Sequence, residues 1–166
     1  MFGTAIIRKY KCNNCDLTFL WPQMNSEEEK KFYKNYNKKI KKRLQEINTK
    51  ENDYYKKSKL NAKKRYKYIK KYFEDINSVC EIGASIGSFL ELLNEDIIKC
   101  AVEPNDINRN EANNFSDYQY EYVDDIPENL CFDIICMFHT FDHIKNQLVF
   151  WKLVKIIKFN FGKCWT

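Results

Sequence analysis

Nowhere in this chain do about 18 apolar residues follow one another, the length that a bilayer-crossing helix needs, so no membrane-spanning segment is expected. Met1–Tyr10 holds only a short apolar stretch, and no secretory leader is expected from it. Histidine is almost absent: His139 and His143 are the only two in 166 residues. Arginine is scarce too, 4 against 24 lysines. With asparagine and isoleucine also abundant, that ratio reads as a compositional bias that puts lysines on a solvated helix face. The seven cysteines are an odd number without framework spacing. They are therefore expected to be unpaired, as in a reducing cytoplasm.

Charge is divided unevenly. Residues 1–75 hold 21 lysines and arginines against 9 acidic residues, whereas residues 76–166 hold 7 against 14. The basic part, residues 26–75, opens on Ser26-Glu27-Glu28-Glu29, which reads as a capping box. Farther on, Ala62, Tyr66, Ile69 and Phe73 recur at helical spacing, which predicts a helix packed on a sheet. Residues 37–60 are expected to form a mobile connection. Basic residues interleaved with aromatics also suit nucleic acid. Charge alone argues only non-specific association, so nucleic acid is not the expected partner.

What the chain does have is concentrated in residues 78–89. A short apolar run ends on Glu81, and Gly83 and Gly87 follow. An apolar pattern at helical spacing then begins with Ile86, Phe89, Leu90 and Leu93. The expectation is strand, tight glycine turn, helix. Glycine lets a backbone approach a ligand closely and tolerates φ > 0, and a helix N-terminus adds unpaired N–H groups. Glu103 ends the next apolar run, 22 positions after Glu81, where a nucleotide fold places the acid that binds a ribose diol. A β-rich run, 118–123, leads to Asp124 and Asp125. The apolar run 132–138 is short enough to be a buried strand. Helical stretches are expected near 105–114 and 143–158, the second with Ile144, Leu148, Trp151 and Val154 on one face. This alternation predicts an α/β fold with a parallel sheet and a ligand site at the carboxyl ends of its strands.

Three chemistries compete for the glycine turn. A dinucleotide cradle wants G-x-G-x-x-G, but Ser85 stands at the middle glycine. Gly83-Ala84-Ser85-Ile86-Gly87 also reads as the G-x-S-x-G of a hydrolase nucleophile elbow. Such an elbow needs earlier strands and an oxyanion loop, and a lysine-rich helical stretch precedes it instead. The third chemistry is S-adenosylmethionine (SAM) binding. Val79–Leu90 resembles the first motif of class I SAM-dependent methyltransferases, Ala101-Val102-Glu103-Pro104-Asn105 their second, and Phe132–Ile144 their fourth strand and the turn after it.

The resemblance implies roles for named residues. Gly83, Ala84 and Gly87 would line the methionine end of the cofactor, and Glu81 would hold its amino group. Glu103, beside Pro104, would bind the ribose. Asp124 would meet the adenine amine, with Asp125 competing for that place. A general base helps when the acceptor is a hydroxyl or a carbon acid. His143, His139 and Asp142, all in the turn after the fourth strand, are the catalytic candidates. A structural hydrogen bond for His143 and a capping or cofactor contact for His139 stay open as alternatives.

Tyr10-Lys11-Cys12-Asn13-Asn14-Cys15, followed by an apolar run to Pro22, resembles the second half of the zinc ribbon that opens many bacterial methyltransferases of this class. Structural zinc takes four ligands. Cys12 and Cys15 supply two, and two chains sharing one ion would complete the set. Cys80, Cys100, Cys131, Cys136 and Cys164 read as small buried hydrophobes. The expected division is a partial ribbon at 1–24, a basic helical segment at 25–75, and a Rossmann-like SAM-binding core at 76–166. That core would have an incomplete sheet of four strands in family order 3-2-1-4, as if trimmed at both ends. Its fourth strand would be an open edge through which two copies could pair.

The resemblance further implies methyl transfer to a small-molecule acceptor such as a sugar nucleotide or a surface-polysaccharide precursor. An inactive fragment that keeps cofactor or partner binding is the alternative, and a basic RNA-associated protein is a third reading.

Overall fold

Four parallel strands, in the order β5-β4-β3-β6, form the sheet on which everything else in the second part of the chain rests. The computed structural model describes residues 8–36 apart from 17 and 23, residues 38, 39, 42, 51–72 and 76–140, and residue 153. The chain divides into two units, Met1–Phe32 and Tyr33–Thr166.

In the first unit, β1 (Arg8–Lys11) pairs antiparallel with β2 (Thr18–Trp21), Arg8 opposite Trp21 and Lys11 opposite Thr18. Cys12 and Cys15 lie in the connecting turn, which Asp16 closes by donating its amide to the Cys12 carbonyl at 3.1 Å. Helix α1 (Ser26–Lys34) follows. Its capping box is one residue earlier than the expected one. Asn25 accepts from the Glu28 amide at 2.9 Å, and Glu28 accepts from the Asn25 amide at 2.9 Å. Asparagine caps at least as well as serine, and the register with Asn25 brings Glu28 to the third helical position.

In the second unit, helix α2 spans Glu51–Tyr72. It occupies residues 51–60, where a mobile connection was expected. Two contacts tie that stretch down: Ser58 Oγ donates to Ser88 Oγ at 3.1 Å, and Lys59 Nζ meets Glu91 at 2.9 Å. Ala62 and Ile69 are buried and Tyr66 packs beside them, as the helical spacing predicts.

Then come β3 (Ser78–Ile82), β4 (Ile98–Val102), α3 (Asp106–Ala112), β5 (Tyr118–Tyr120) and β6 (Ile134–Met137). All three pairings are parallel, with Ser78 opposite Ile98, Val79 opposite Ile134, and Cys100 opposite Tyr118. Asp133 fixes the β6 register by accepting from the Asn77 amide at 3.0 Å and from Ser78 Oγ at 2.9 Å. The resulting order is the 3-2-1-4 that the family resemblance implies.

Side chains alternate between two apolar layers, because successive residues of a strand face opposite sides. Val79, Ala101, Ile134 and Cys136 join Ala62, Ile69, Phe89, Leu90 and Ala112 on one face. Cys80, Ile82, Cys100 and Val102 join Val123, Ile126, Phe132 and Leu153 on the other. With both faces covered, apolar runs are what parallel strands require. The helical stretch expected at 143–158 lies outside the described residues except for Leu153, which is helical and buried.

Two expectations are corrected. No α-helix follows the glycine turn. Residues 83–97 form successive turns with a single 3-10 turn at Leu90–Leu92. Ser85 (φ 51) and Gly87 (φ 76) are left-handed, so a helix could start only after Gly87. Too few residues then remain before Asn94-Glu95-Asp96 to propagate one. The second correction concerns Cys131, which is disulfide-bonded, its partner outside the described residues. Linear spacing does not show which thiols a fold brings within bonding reach. The cysteines therefore do not argue for a reducing compartment. Cys80, Cys100 and Cys136 are free and buried, as expected. Among the described residues no helix is long and apolar enough to cross a membrane.

Gly87 tests the turn. A Cβ there would lie 3.0 Å from the Ala112 Cα and 3.1 Å from Phe115, on a backbone at φ +76. Gly87→Ala is expected to lower stability by about 1–3 kcal/mol in urea unfolding, from overpacking plus a disfavoured φ. An unchanged midpoint would mean that the turn does not need this glycine.

Candidate functional site

The carboxyl ends of β3, β4 and β6 meet at three short segments: the glycine turn after Ile82, Glu103 after Val102, and the turn 138–140 after Met137. Two features make the glycine turn tight. The amides of Gly83 and Ala84 both donate to the Val102 carbonyl, at 2.8 and 3.1 Å, which locks the turn to the end of β4. Gly83, Ser85 and Gly87 are all left-handed, at φ 77, 51 and 76. That region costs a non-glycine residue free energy, so Ser85 is a point of local strain.

Two buried glutamates sit beside this turn. Glu103 is 6 % exposed and is held by two backbone donors. The Ser85 amide reaches its Oε2 and the Asn105 amide its Oε1, both at 2.9 Å. Arg109 donates to the backbone carbonyl of Glu103 from the first turn and a half of α3. Burial raises the Glu103 pKa, while the Asn105 and Ser85 amides and Arg109 pull it back down. The carboxylate is thus fixed in place, and each oxygen keeps lone pairs for further donors.

Glu81 is different. It is 1 % exposed, on the α2 side of the sheet between Val79 and the turn. Its Oε2 is buried and has no hydrogen-bond partner. Its Oε1 faces Arg65 Nη1 of α2 at 3.9 Å, too far for a hydrogen bond. Burial pushes its pKa up to about 8, with Arg65 opposing the rise and Glu103 adding to it. Buried polar groups are ordinarily paired, and leaving a carboxyl unpaired costs several kcal/mol. A buried acid at a strand end with a raised pKa and an oxygen lacking a hydrogen-bond partner is a candidate functional group.

The turn after β6 closes the third side. His139 is exposed and left-handed at φ 59. Thr140 packs so tightly on Gly83 that a Cβ at position 83 would lie 2.2 Å from its Oγ1. Phe138 stacks edge-on against Phe89 at 5.3 Å, and the Arg65 guanidinium lies over its ring at 4.5 Å.

The structure therefore brings Glu81, Gly83, Ala84 and Glu103 together, with His139 on the neighbouring turn. Gly87 faces α3, where its missing Cβ makes room for Ala112, and its amide donates to the Ala84 carbonyl at 3.0 Å. Pro104 follows Glu103 and is half-buried. Asp124 and Asp125 are exposed in the 3-10 turn Val123–Asp125, where Asp125 accepts from the Tyr122 amide at 2.8 Å. Asp142 and His143 lie outside the described residues. Sequence reasoning missed Arg65 and Thr140. Arg65 had a signal, as one of four arginines in a chain of lysines.

Cys12 and Cys15 sit apart from this centre in sequence. Among the described residues no three His, Cys, Asp or Glu side chains converge on a common point. The Cys12 thiol is held below its ordinary pKa by backbone hydrogen bonds, first from Asn14 and then from Cys15.

The Glu81 shift has a measurable consequence. Its folded pKa lies above the unfolded value of 4.5, so the folded state binds the proton more tightly. The resulting contribution to stability is complete below about pH 4.5 and is lost as pH rises to about 8. Unfolding at several pH values should show wild type losing stability relative to Glu81→Gln across that window, with no further change above it. A constant difference between the two would contradict an elevated Glu81 pKa.

No curated protein matches the chain. Residues 32–161 match the methyltransferase domain family, a span that contains α2, the whole parallel sheet and both glutamates. The four-strand order, the glycine turn and the acids at its strand ends agree with that match, and the chain belongs to the methyltransferase domain family.

Proposed function

We propose that this chain binds SAM across the carboxyl ends of β3 and β4 and transfers its methyl group to a small-molecule acceptor. The observation that carries this reading is the unpartnered Oε2 of Glu81, buried at the end of β3 beside a fixed Glu103. These donors and acceptors suit the cofactor. An ammonium group satisfies Glu81, and a vicinal diol suits the remaining lone pairs of Glu103. The left-handed turn at Gly83 leaves room for Thr140 of the neighbouring turn to pack against its backbone.

When bound, SAM supplies an electrophilic methyl on a sulfonium, so the protein's share of the chemistry is alignment and exclusion of water. Glu81 and Glu103 hold the two ends of the ligand. Asp124 is the proposed contact for the adenine amine, with Asp125 engaged in capping its own turn. His139 stands exposed next to Thr140, where it can take a proton from a hydroxyl or carbon-acid acceptor. His143, with Asp142, shares that candidacy on the resemblance of residues 132–144 to the family turn.

The proposed acceptor class, a sugar nucleotide or a surface-polysaccharide precursor, rests on the likeness of the Cys12–Pro22 segment to ribbon-bearing bacterial methyltransferases. The β1–β2 hairpin with its two-cysteine turn is consistent with half of such a ribbon. A zinc ion on Cys12 and Cys15 would need two further ligands.

Calorimetric titration with S-adenosylhomocysteine tests the cofactor site. Wild type should bind at micromolar affinity, and Glu103→Ala should weaken binding by about 10- to 100-fold, the effect of leaving ribose hydroxyls unpaired. Absence of binding by a folded wild-type chain would contradict the proposal.

A further inference from the structure

We propose that Asn105 couples the last turn of α1 to the acid that takes the ribose, so that docking of that turn and occupation of Glu103 stabilise each other. The inference rests on the cofactor reading above and adds to it a positioning residue, one that acts on the ligand through Glu103.

Asn105 stands two residues after Glu103 and is 0 % exposed, and each of its polar groups is engaged. Its backbone amide donates to Glu103 Oε1 at 2.9 Å, and its backbone carbonyl accepts from the Arg109 amide at 2.9 Å. Its side-chain Oδ1 accepts from the Asn108 amide at 2.9 Å, which caps α3. Its Nδ2 donates to the carbonyl of Tyr33. The end of β4, the start of α3 and the end of α1 thus meet at one buried residue.

The residue type carries information. Serine, aspartate and asparagine cap a helix about equally well, so capping α3 does not by itself call for asparagine. Of the three, only asparagine has an N–H donor beside the capping oxygen. The two partners fix which way the amide points, because the Asn108 amide needs an acceptor and the Tyr33 carbonyl needs a donor. Tyr33 lies in the last turn of α1, where helix carbonyls take donors from outside the helix. It is also the first residue of the second unit, so this bond lies within that unit.

The bonds of Asn105 depend on one another. With Oδ1 and Nδ2 both held, the main chain at Asn105 has little freedom, and the amide that holds Glu103 Oε1 is fixed with it. Losing the Tyr33 bond leaves a buried Nδ2 without that acceptor and frees the side chain on one side. The Glu103 carboxylate then keeps the Ser85 amide at Oε2 but is held less firmly at Oε1. The link runs in both directions. A ligand that binds better when the α1 turn is docked also stabilises the docked turn, by the same factor.

Hydrogen exchange over residues 26–36, with and without saturating S-adenosylhomocysteine, tests the link alongside calorimetric affinities. Asn105→Asp and Asn105→Ser both keep an oxygen for capping α3 and lack the donor to Tyr33, and the second adds no charge beside Glu103. In wild type the ligand is expected to slow exchange of this segment by about 10-fold, the size of an ordinary coupling. In both variants that response should be lost and ligand affinity should fall by about the same factor, with exchange over 106–112 unchanged. The proposal is overturned if the bound ligand leaves exchange over 26–36 unchanged in wild type, or if either variant keeps the response. Faster exchange over 106–112 in the variants would mark a general loss of structure and overturns it as well. Should one variant fail to fold, the other decides, and failure of both makes Asn105 a structural residue and overturns the proposal. Binding by wild type without the exchange response sinks this inference alone, whereas no binding by wild type sinks the cofactor reading with it.

Discussion

A carboxyl group buried in a parallel sheet with no hydrogen-bond partner for one oxygen is the constraint around which the second unit is arranged. Glu81 sits at 1 % exposure on the central strand β3, between β4 and β6. A neutral acid tolerates such a place better than a charged one, and burial raises its pKa to about 8. Helix α2 brings a cation near it, the turn after β6 brings an aromatic ring that holds that cation, and β4 brings a second acid that raises its pKa further. Folding would be easier with an apolar residue at this position. The cost is understandable where the unmet valence belongs to a ligand.

Around Glu81 the backbone is fixed by hydrogen bonds rather than by a helix. The Val102 carbonyl takes two amides from the glycine turn, and Glu103 takes one from Ser85 and one from Asn105. The ends of β3 and β4 are thereby sewn together through three left-handed residues. Such a turn holds its carboxylates with little freedom before a ligand arrives, which is the preorganisation that group transfer by alignment requires. Thr140, packed on Gly83, shows how closely the β6 turn is fitted to the same spot.

Much of this was legible from sequence because parallel strands announce themselves. The runs ending at Glu81 and Glu103 and the run 132–138 are apolar on both faces, which marks them as buried parallel strands, while the order in which they pair was legible only through the family resemblance. The acids were legible because they end those runs. The helix expected after Gly83 was not found, since hydrophobic period alone does not register that Ser85 and Gly87 adopt positive φ. The Asn25 cap was masked by the equally plausible Ser26. Arg65 stands among lysines, and its contacts with Glu81 and the Phe138 ring separate it from them. The bond at Cys131 depends on tertiary proximity, which spacing does not carry. The roles of Asp142 and His143 rest on the family resemblance alone.

The central claim is that Glu81 is a buried acid whose Oε2, without a hydrogen-bond partner of its own, takes a cationic group of the ligand. Carbon-13 NMR of the Glu81 carboxyl, assigned with Glu81→Gln and titrated with and without S-adenosylhomocysteine, tests it directly. The account predicts a midpoint near 8 in the free chain, falling well below that value when the ligand's ammonium binds. A midpoint near the ordinary 4.5 in the free chain, or one that the bound ligand leaves unmoved, would contradict it.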